Sequence, residues 1–416
     1  MTTPAQSLPE MGNQLARARQ AAAELAQFSA VHRNTILLSI AKAIVSGADS
    51  ILAANEEDLS ACELSGSMRD RLLLNRSRVN AMAEAVQNVA ELPDPLQDEP
   101  IEWIRPNGLL IRKVRVPLGV VGIIYESRPN VTVDAVALCI KAGNAIVLRG
   151  GKEAAQSNRR LVEIMNTTAG LPRGAIELLD SSTRNSVKDL ISARGMVDVV
   201  IPRGSAEFIS FVVENATVPV IETGAGNCHI FVDASADFDM ADRIVINAKT
   251  QRPSVCNAAE KLLVHRDIAR EYIPRIVRQL IDSGVEVRGD AAVQKIVPEV
   301  PVAKAPDWDL EFLRMCIAVA IVQDVDGAIQ HINLHSTKHS ETIVTSNEVN
   351  ARRFLNYVDS AVVYWNASTR FSDGGEFGFG AEMGISTQKL HCRGPFALRE
   401  LTSLKYQVVG NGQIRP

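Results

Sequence analysis

From Gly119 to residue 221, short β-branched runs alternate with amphipathic helical stretches, and this alternation constrains the fold more than any other feature. Strands are expected over 120–125, 145–149, 176–179, 197–201 and 218–221, with helices over 131–141, 154–169, 184–193 and 206–214 between them. Strands separated by helices cannot pair as hairpins. They need crossovers, which are right-handed, and the product is a parallel sheet covered on both faces. Gly143-Asn144 and Gly170-Leu171-Pro172 close two of the helices with left-handed-cap and breaker signals.

A second alternation fills 229–365, so the fold class is α/β, with two doubly wound parallel domains. A chain of 416 residues is too long for one ordinary core, in agreement with two domains. Residues 10–90 read as helical, with further helix starts at Asn55-Glu56-Glu57-Asp58 and Asn75-Arg76-Ser77. Between that layer and the first alternation, 103–116 reads as a β-hairpin turning at Asn107-Gly108. Charges alternate along its second arm, which leaves one side wet or paired with another chain.

Net charge is −4, Lys and Arg are scattered, and aromatics make up only 5%, which argues against a nucleic-acid surface. The uninterrupted apolar run 116–125 is far shorter than the roughly 20 residues of a membrane span. Residues 1–12 carry no apolar signal core. The six cysteines include no C-x-x-C pair, so neither a zinc site nor a disulfide framework is expected and a reducing cytoplasm is the natural home.

Open parallel sheets bind ligands at the carboxyl ends of their strands. The loops there are Glu126-Ser127-Arg128-Pro129-Asn130, Arg149-Gly150-Gly151-Lys152, Ser181-Ser182-Thr183, Pro202-Arg203-Gly204-Ser205 and Glu222-Thr223-Gly224-Ala225-Gly226-Asn227. They are small, glycine-rich and cationic, which suits a nucleotide diphosphate. No G-x-G-x-x-G follows a strand, so the usual dinucleotide fingerprint is missing. Arg149 and Lys152, flanking two glycines, have two readings: a grip on the 2′-phosphate of NADP, or a solvated basic turn.

One cysteine stands apart from the rest. Cys256 lies in Lys249-Thr250-Gln251-Arg252-Pro253-Ser254-Val255-Cys256-Asn257, with cations upstream and no apolar run around it. A nearby cation lowers a thiol pKa from about 8.5 into the reactive range. Cys228 precedes an apolar strand and reads as packed, and Cys139, Cys316 and Cys392 read as structural. His331, His335 and His339 are four apart, as zinc ligands on a helix face would be. Ser336-Thr337-Lys338 reads as a helix end, which favours a surface or capping role for them.

Over nearly the whole chain the motifs resemble the γ-glutamyl phosphate reductase family of proline biosynthesis, within the aldehyde dehydrogenase superfamily. The likeness runs through 116–132, 141–145, 148–154, 221–229 and Gln251-Arg252-Pro253-Ser254-Val255-Cys256-Asn257-Ala258. It returns at Tyr364-Trp365-Asn366-Ala367-Ser368-Thr369-Arg370-Phe371, 374–378 and 385–391. The resemblance implies a cofactor domain over 1–228, interrupted by a 101–117 oligomerisation hairpin. It also implies a catalytic thiol domain over 229–390 and a segment 391–416 that returns to the flap.

It implies Cys256 as nucleophile, NADP as cofactor and glutamyl 5-phosphate as substrate, reduced through a cysteine thioester. The oxyanion donors are then the Cys256 N–H with Ser127 or Asn130. Glu222, 34 residues before Cys256, matches the glutamate that activates water in aldehyde oxidisers. A reductase does not want that water, so Glu222 is left to deprotonate Cys256 or hold the nicotinamide end. The cofactor residues implied are Arg149, Gly150, Gly151, Lys152, Gly204, Ser205 and Glu311. Arg128, Arg252 and Arg370 are the substrate clamps, or else loop-fixing ion pairs. A homo-oligomer and a transient contact with glutamate 5-kinase are the implied partners.

The alternative on the same fold is NAD(P)-dependent oxidation of another aldehyde. A scaffold role for a kinase partner, or a thiol hydrolase using His229 or His391 as base, stands further off.

Overall fold

Strand Val120–Tyr125 is buried at every position, and a strand with no wet face must lie inside a sheet covered on both sides. In the computed structural model, which describes residues 7–61, 66–126, 128–183 and 185–415, it has parallel neighbours on each edge. The sheet order is Ile176–Leu178, Ala145–Arg149, Val120–Tyr125, Val199–Arg203, and every pairing is parallel.

The expected strand over 218–221 is reduced to one bridge, Val200 with Val220. Val200 N–H donates to the Pro219 carbonyl and its own carbonyl accepts from Ile221 N–H. Pro219 has no N–H to carry the ladder further.

By its contacts the chain divides into two units. Met1–Glu222, Gly378–Gly384 and Phe396–Pro416 form one, and Thr223–Phe377 with Ile385–Pro395 the other.

In the first unit the helices Ser7–Leu25, Ala30–Ser46, Ala48–Ala61 and Arg76–Glu91 form the expected N-terminal layer. Asn75 caps the last of them, accepting from Arg78 N–H at 2.8 Å. Asn55, however, is not a helix start; it lies inside Ala48–Ala61. Its buried amide is spent on tertiary bonds instead, donating to Leu72 O and Ser157 Oγ and accepting from Leu74 N–H. Asp58, one turn on, accepts from Gln156 N–H, Ser157 N–H and Ser157 Oγ–H. Helix Ala155–Asn166 has no side-chain cap of its own, so Asp58 supplies it. This layer thereby anchors the loop 150–154.

The hairpin pairs Ile101–Ile104 with Leu110–Pro117, and the C-terminal strand Thr402–Val409 pairs antiparallel along the whole second arm. Its turn closes with Gly108 N–H donating to Arg105 O, and Gly108 sits at φ +83°, a conformation that glycine adopts without strain. Pro106 and Asn107 occupy the central positions, as a type I turn prefers.

The second unit holds a six-stranded parallel sheet ordered Val362–Trp365, Ser340–Val344, Cys228–Val232, Ala259–His265, Cys316–Val322, Glu286–Gly289. Helix Ala269–Asp282 buries Tyr272, Ile273, Ile276 and Leu280 on it. Each such side chain contributes about 1.5–3 kcal/mol by leaving water. Among the described residues no single helix is long and apolar enough to cross a membrane.

Candidate active site

Helix Phe238–Thr250 starts at Asp237, whose carboxylate accepts from Met240 N–H, and stops before Pro253, which cannot extend it. The chain then makes a tight turn, Val255 to Ala258, closed by Ala258 N–H donating to Val255 O at 3.1 Å. Cys256 and Asn257 are its two central residues, and strand Ala259–His265 follows at once. The half-buried Cys256 therefore lies at the amino edge of its sheet. The carboxyl-end rule does not locate it.

The floor of this turn is Gly226-Asn227-Cys228. Gly226 lies against the Cys256 backbone with no room for a side chain, and its N–H donates to Glu311 Oε1 at 2.7 Å. Asn227 donates to the carbonyls of Trp308 and His335. Cys228 is fully buried, and its thiol donates to the Cys256 carbonyl at 3.1 Å. Burial pushes that thiol well above its ordinary pKa, so it stays protonated and serves as a donor. The packed reading of Cys228 holds, with this contact added.

Arg370 reaches the thiol by an unusual route. Strand Val362–Trp365 ends at the carboxyl edge, and Asn366, at φ +57°, reverses the chain. Its amide is matched to one residue, accepting from Thr345 N–H and donating to Thr345 O, both at 2.9 Å. Residues 366–372 then run back along the sheet: Ala367 O meets Thr342 Oγ1, and Ser372 Oγ meets Ser340 Oγ and Tyr364 OH. At the amino edge they meet the thiol turn. Thr369 Oγ1 donates to Asn257 O at 2.7 Å, and Asn257 Nδ2 donates to Ser372 O at 2.9 Å and to Arg370 O at 3.3 Å. Arg370 Nε donates to Gln251 Oε1 at 2.8 Å. Burial holds the Arg370 guanidinium below its ordinary pKa, while the nearby Cys256 sulfur pulls it up and Arg252 pushes it down. Cys256, Arg252 and Arg370 are thus neighbours.

Behind the turn lies a buried ionic layer. Lys249 Nζ and Glu260 Oε2 are 3.0 Å apart with no exposure, and Lys261 Nζ donates to Leu310 O. Desolvation moves Glu260 up to about 7 and Lys261 down to about 8. Lys249, one of the cations that the sequence sets upstream of Cys256, is therefore occupied by an internal pair.

The histidines also depart from the surface role expected of them. His339 is fully buried, with Nδ1 at 2.8 Å from Ser340 Oγ, and His331 packs between Trp308 and His229. His335 ends helix Val325–His335 and pairs through Nδ1 with Asp309 at 2.8 Å. His229 is enclosed against Glu341 and is not placed as a base for a thiol hydrolase. Among the described residues no three ligands converge as a metal site.

In the first unit the strand-end loops surround a cavity of about 440 Å³, lined among others by Gly150, Lys152, Asn158, Arg159, Ser181 and Thr183. Arg149 is not among its lining residues. Its guanidinium donates to the carbonyls of Gly150, Ser181 and Thr183 and to Ser186 Oγ, so it fixes these loops. Gly151 opens the short helix Lys152–Ala154, and Gly150 has no room for a Cβ, which would sit 2.2 Å from Asn158 Nδ2. Tyr125, Thr132 and Asn158 form a hydrogen-bonded ladder that leaves Asn158 Nδ2 without an acceptor among the described residues. Cations, a close backbone approach and an orphaned donor suit a phosphorylated nucleotide.

Gly204 and Ser205 lie exposed at the start of helix Ala206–Asn215, which Ser205 caps through Phe208 N–H. Asn130 is exposed on the first turn of Pro129–Lys141 and donates to Asp134. Arg128 and Glu222 are half-buried in the same unit. Ser127 lies outside the described residues. Thr369 is a part of the thiol site that residue pattern does not mark, and the roles of Gln251, Asn257 and Cys228 in it come from contacts that only the fold creates.

The aldehyde dehydrogenase family model matches residues 1–294. The γ-glutamyl phosphate reductase of Koribacter versatilis is 65% identical over 403 residues, covering 96% of this chain and 98% of that one. The crystal structure of γ-glutamyl phosphate reductase from Thermotoga maritima superposes with a TM-score of 0.95 at 47% identity, covering 98% of this chain and all of that one. A propionaldehyde dehydrogenase of Clostridium phytofermentans shares the fold at 18% identity, with a TM-score of 0.68 over 96% of this chain and 97% of its own.

Proposed function

Because the chain belongs to the γ-glutamyl phosphate reductase family of aldehyde dehydrogenases, we propose that it reduces L-glutamyl 5-phosphate to L-glutamate 5-semialdehyde with NADPH. Phosphate is released, and the reaction is the second step of proline biosynthesis from glutamate. The thiol turn carries the reading: a half-buried cysteine presented at the tip of a pinned turn, with Arg370 tied to both ends of its loop.

Cys256 as thiolate attacks the acyl carbon, and phosphate departs with the bonding pair, leaving a thioester on the sulfur. The nicotinamide, when bound, supplies the hydride that the thioester carbon accepts. Cys256 then leaves as thiolate and the aldehyde is released. The Cys256 N–H, joined by the Asn130 amide or Ser127, stabilises the oxyanion of each tetrahedral stage. Arg252, Arg370 and Arg128 hold the substrate carboxylate and phosphate, since guanidinium groups match such anions bidentately. Glu222 takes the thiol proton or orients the nicotinamide end.

The first unit holds the cofactor. Lys152, exposed at the cavity, takes the 2′-phosphate that distinguishes NADP from NAD, and Gly150 with Gly151 lets the backbone come close. Gly204 and Ser205 cap a helix N-terminus that favours phosphate. Glu311, whose carboxylate accepts from Gly226 N–H, is assigned to the cofactor as well. The hairpin flap joins copies into a homo-oligomer. Ile101, Ile104, Tyr406 and Val408 are exposed on it, and strand Thr402–Val409 is its edge. An acyl phosphate is short-lived in water, which supports handover by transient contact with glutamate 5-kinase.

The deciding assay is NADP reduction with glutamate semialdehyde, with and without inorganic phosphate, run beside NAD. Strict phosphate dependence is expected, and Cys256→Ser should abolish it. Turnover without phosphate would instead mean oxidation of an aldehyde on the same fold.

A further inference from the structure

The two central carbonyls of the thiol turn are each held by one side chain from elsewhere. Cys228 Sγ–H holds Cys256 O, and Thr369 Oγ1–H holds Asn257 O at 2.7 Å. The Asn257 side chain then reaches back along the returning loop to the carbonyls of Arg370 and Ser372. Asn257 thus accepts from residue 369 through its backbone and donates to residues 370 and 372 through its side chain. From the other end of the cysteine loop, Gln251 Oε1 accepts a hydrogen bond from Arg370 Nε–H. Arg370 is gripped by its backbone at residue 257 and by its side chain at residue 251, with the nucleophile between the two. A loop residue on a freely moving segment would need none of these ties.

We propose that Asn257 and Thr369 form a positioning pair that sets the arginine of the returning loop against the nucleophile. Neither side chain touches the reacting atoms. Their bonds make the thiol turn and the Arg370 segment one rigid piece, so that the cation and the sulfur keep a single spacing whether or not substrate is bound. Small displacements of reacting groups cost large factors in rate, so such a frame has functional weight. The proposal rests on the reductase reading only for what Arg370 binds.

The test separates the two. Cys256 is alkylated with iodoacetate and with iodoacetamide, and the ratio of the two rates is read by mass spectrometry of the Cys256 peptide. A guanidinium beside the thiolate draws the anionic reagent, so Arg370→Gln defines the ratio without it. Thr369→Val and Asn257→Ala should lower the ratio at least about threefold, toward the Arg370→Gln value, because the local field loses its cation. Thr369→Ser, which restores the hydroxyl, should return it to that of the parent protein.

In phosphate-dependent turnover, Thr369→Val should lose about tenfold or more in kcat/KM. If Asn257→Ala does not fold, the two Thr369 variants carry the test alone. An unchanged ratio in Thr369→Val, a Thr369→Ser that behaves like Thr369→Val, or an Arg370→Gln without effect overturns the proposal. A ratio that behaves as stated in a protein with no phosphate-dependent turnover leaves the positioning pair standing and removes the reductase reading.

Discussion

Gly226 passes so close to Cys256 that a Cβ built on it would lie 1.4 Å from the Cys256 carbonyl oxygen and 2.6 Å from its Cα. Both neighbours are backbone atoms, so nothing flexible can yield. Gly226→Ala must displace the thiol turn or the strand that begins at Cys228. Steady-state kinetics should show at least about a hundredfold loss of kcat, by misplacement of the nucleophile alone. The melting temperature should also drop by several degrees. An alanine variant with near-normal turnover would mean that the turn tolerates a shift its contacts disallow.

Lys152 is an exposed cation of the loop at the first-unit cavity, where Arg159 is exposed as well, whereas the Arg149 guanidinium is bonded to loop carbonyls. Lys152→Glu should raise KM for NADPH by about tenfold or more, equivalent to roughly 1.4 kcal/mol, and leave KM for NADH almost unchanged. Arg149→Ala should weaken both cofactors alike, because it loosens the loop rather than one phosphate contact. Equal effects of Lys152→Glu on the two cofactors would remove it from the 2′-phosphate.

Acid stability follows from the buried histidines. Burial holds His339 down to about 4, His331 to about 3, and His229 well below its ordinary value. Unfolded, each titrates near about 6.5. Below that pH the unfolded chain binds three protons that the folded chain refuses, so stability falls as pH falls. Glu341 opposes this. Burial lifts its carboxyl to about 8, so the folded chain keeps one proton that the unfolded chain releases above about 4.5.

Asp134 and Glu260 act in the same sense as Glu341, since burial lifts them to about 6 and about 7. Across these groups the folded and unfolded chains bind equal numbers of protons between about pH 4.5 and 6, and the folded chain holds two more between about 6.5 and 7 and one more up to about 8. Urea midpoints should therefore be nearly level from about pH 4.5 to 6, peak near about 6.5 and decline from there to about 8. His331→Gln should make the midpoint rise as pH falls from about 6 to 4.5. A parent midpoint that drops steeply from about pH 6 to pH 5 would show that the buried carboxyls ionise while folded.

The flap should set the assembly. Trp103 and Tyr406 meet edge to face at 6.2 Å on it, and Val408 is more than half exposed. Val408→Asp should leave the monomer folded, by circular dichroism, and lower the mass found by light scattering. An unchanged mass would place the subunit contact elsewhere.

Much of this fold is legible in residue pattern. Val120–Tyr125 and Ala145–Arg149 are continuous apolar runs with clear ends, and their limits agree with the structure. Residue pattern does not mark strand Glu286–Gly289 or helix Ala291–Ile296, because Glu286 and Arg288 flank a single apolar residue and the helix has barely two turns. Asn55 looked like a helix start because its side chain prefers caps, and a tertiary bond to Leu72 outweighed that preference.

Cys256 stands out in the sequence by its cationic loop, although one of those cations, Lys249, is spent on Glu260. Its supports do not: Thr369 and Asn257 are 112 residues apart, as are His229 and Glu341. Only the reversal at Asn366 brings the first pair together, and no short-range signal encodes where a reversed loop will land.

The flap has a consequence for how the protein is made. Arg115 and Thr402, bonded across the sheet, are 287 residues apart in the chain. Strand Leu110–Pro117 leaves the ribosome well before its partner and has one edge open until Thr402–Val409 emerges. At about 5–20 residues per second that wait is roughly 15 to 60 s. During that interval the open edge is a surface that chaperones would be expected to cover.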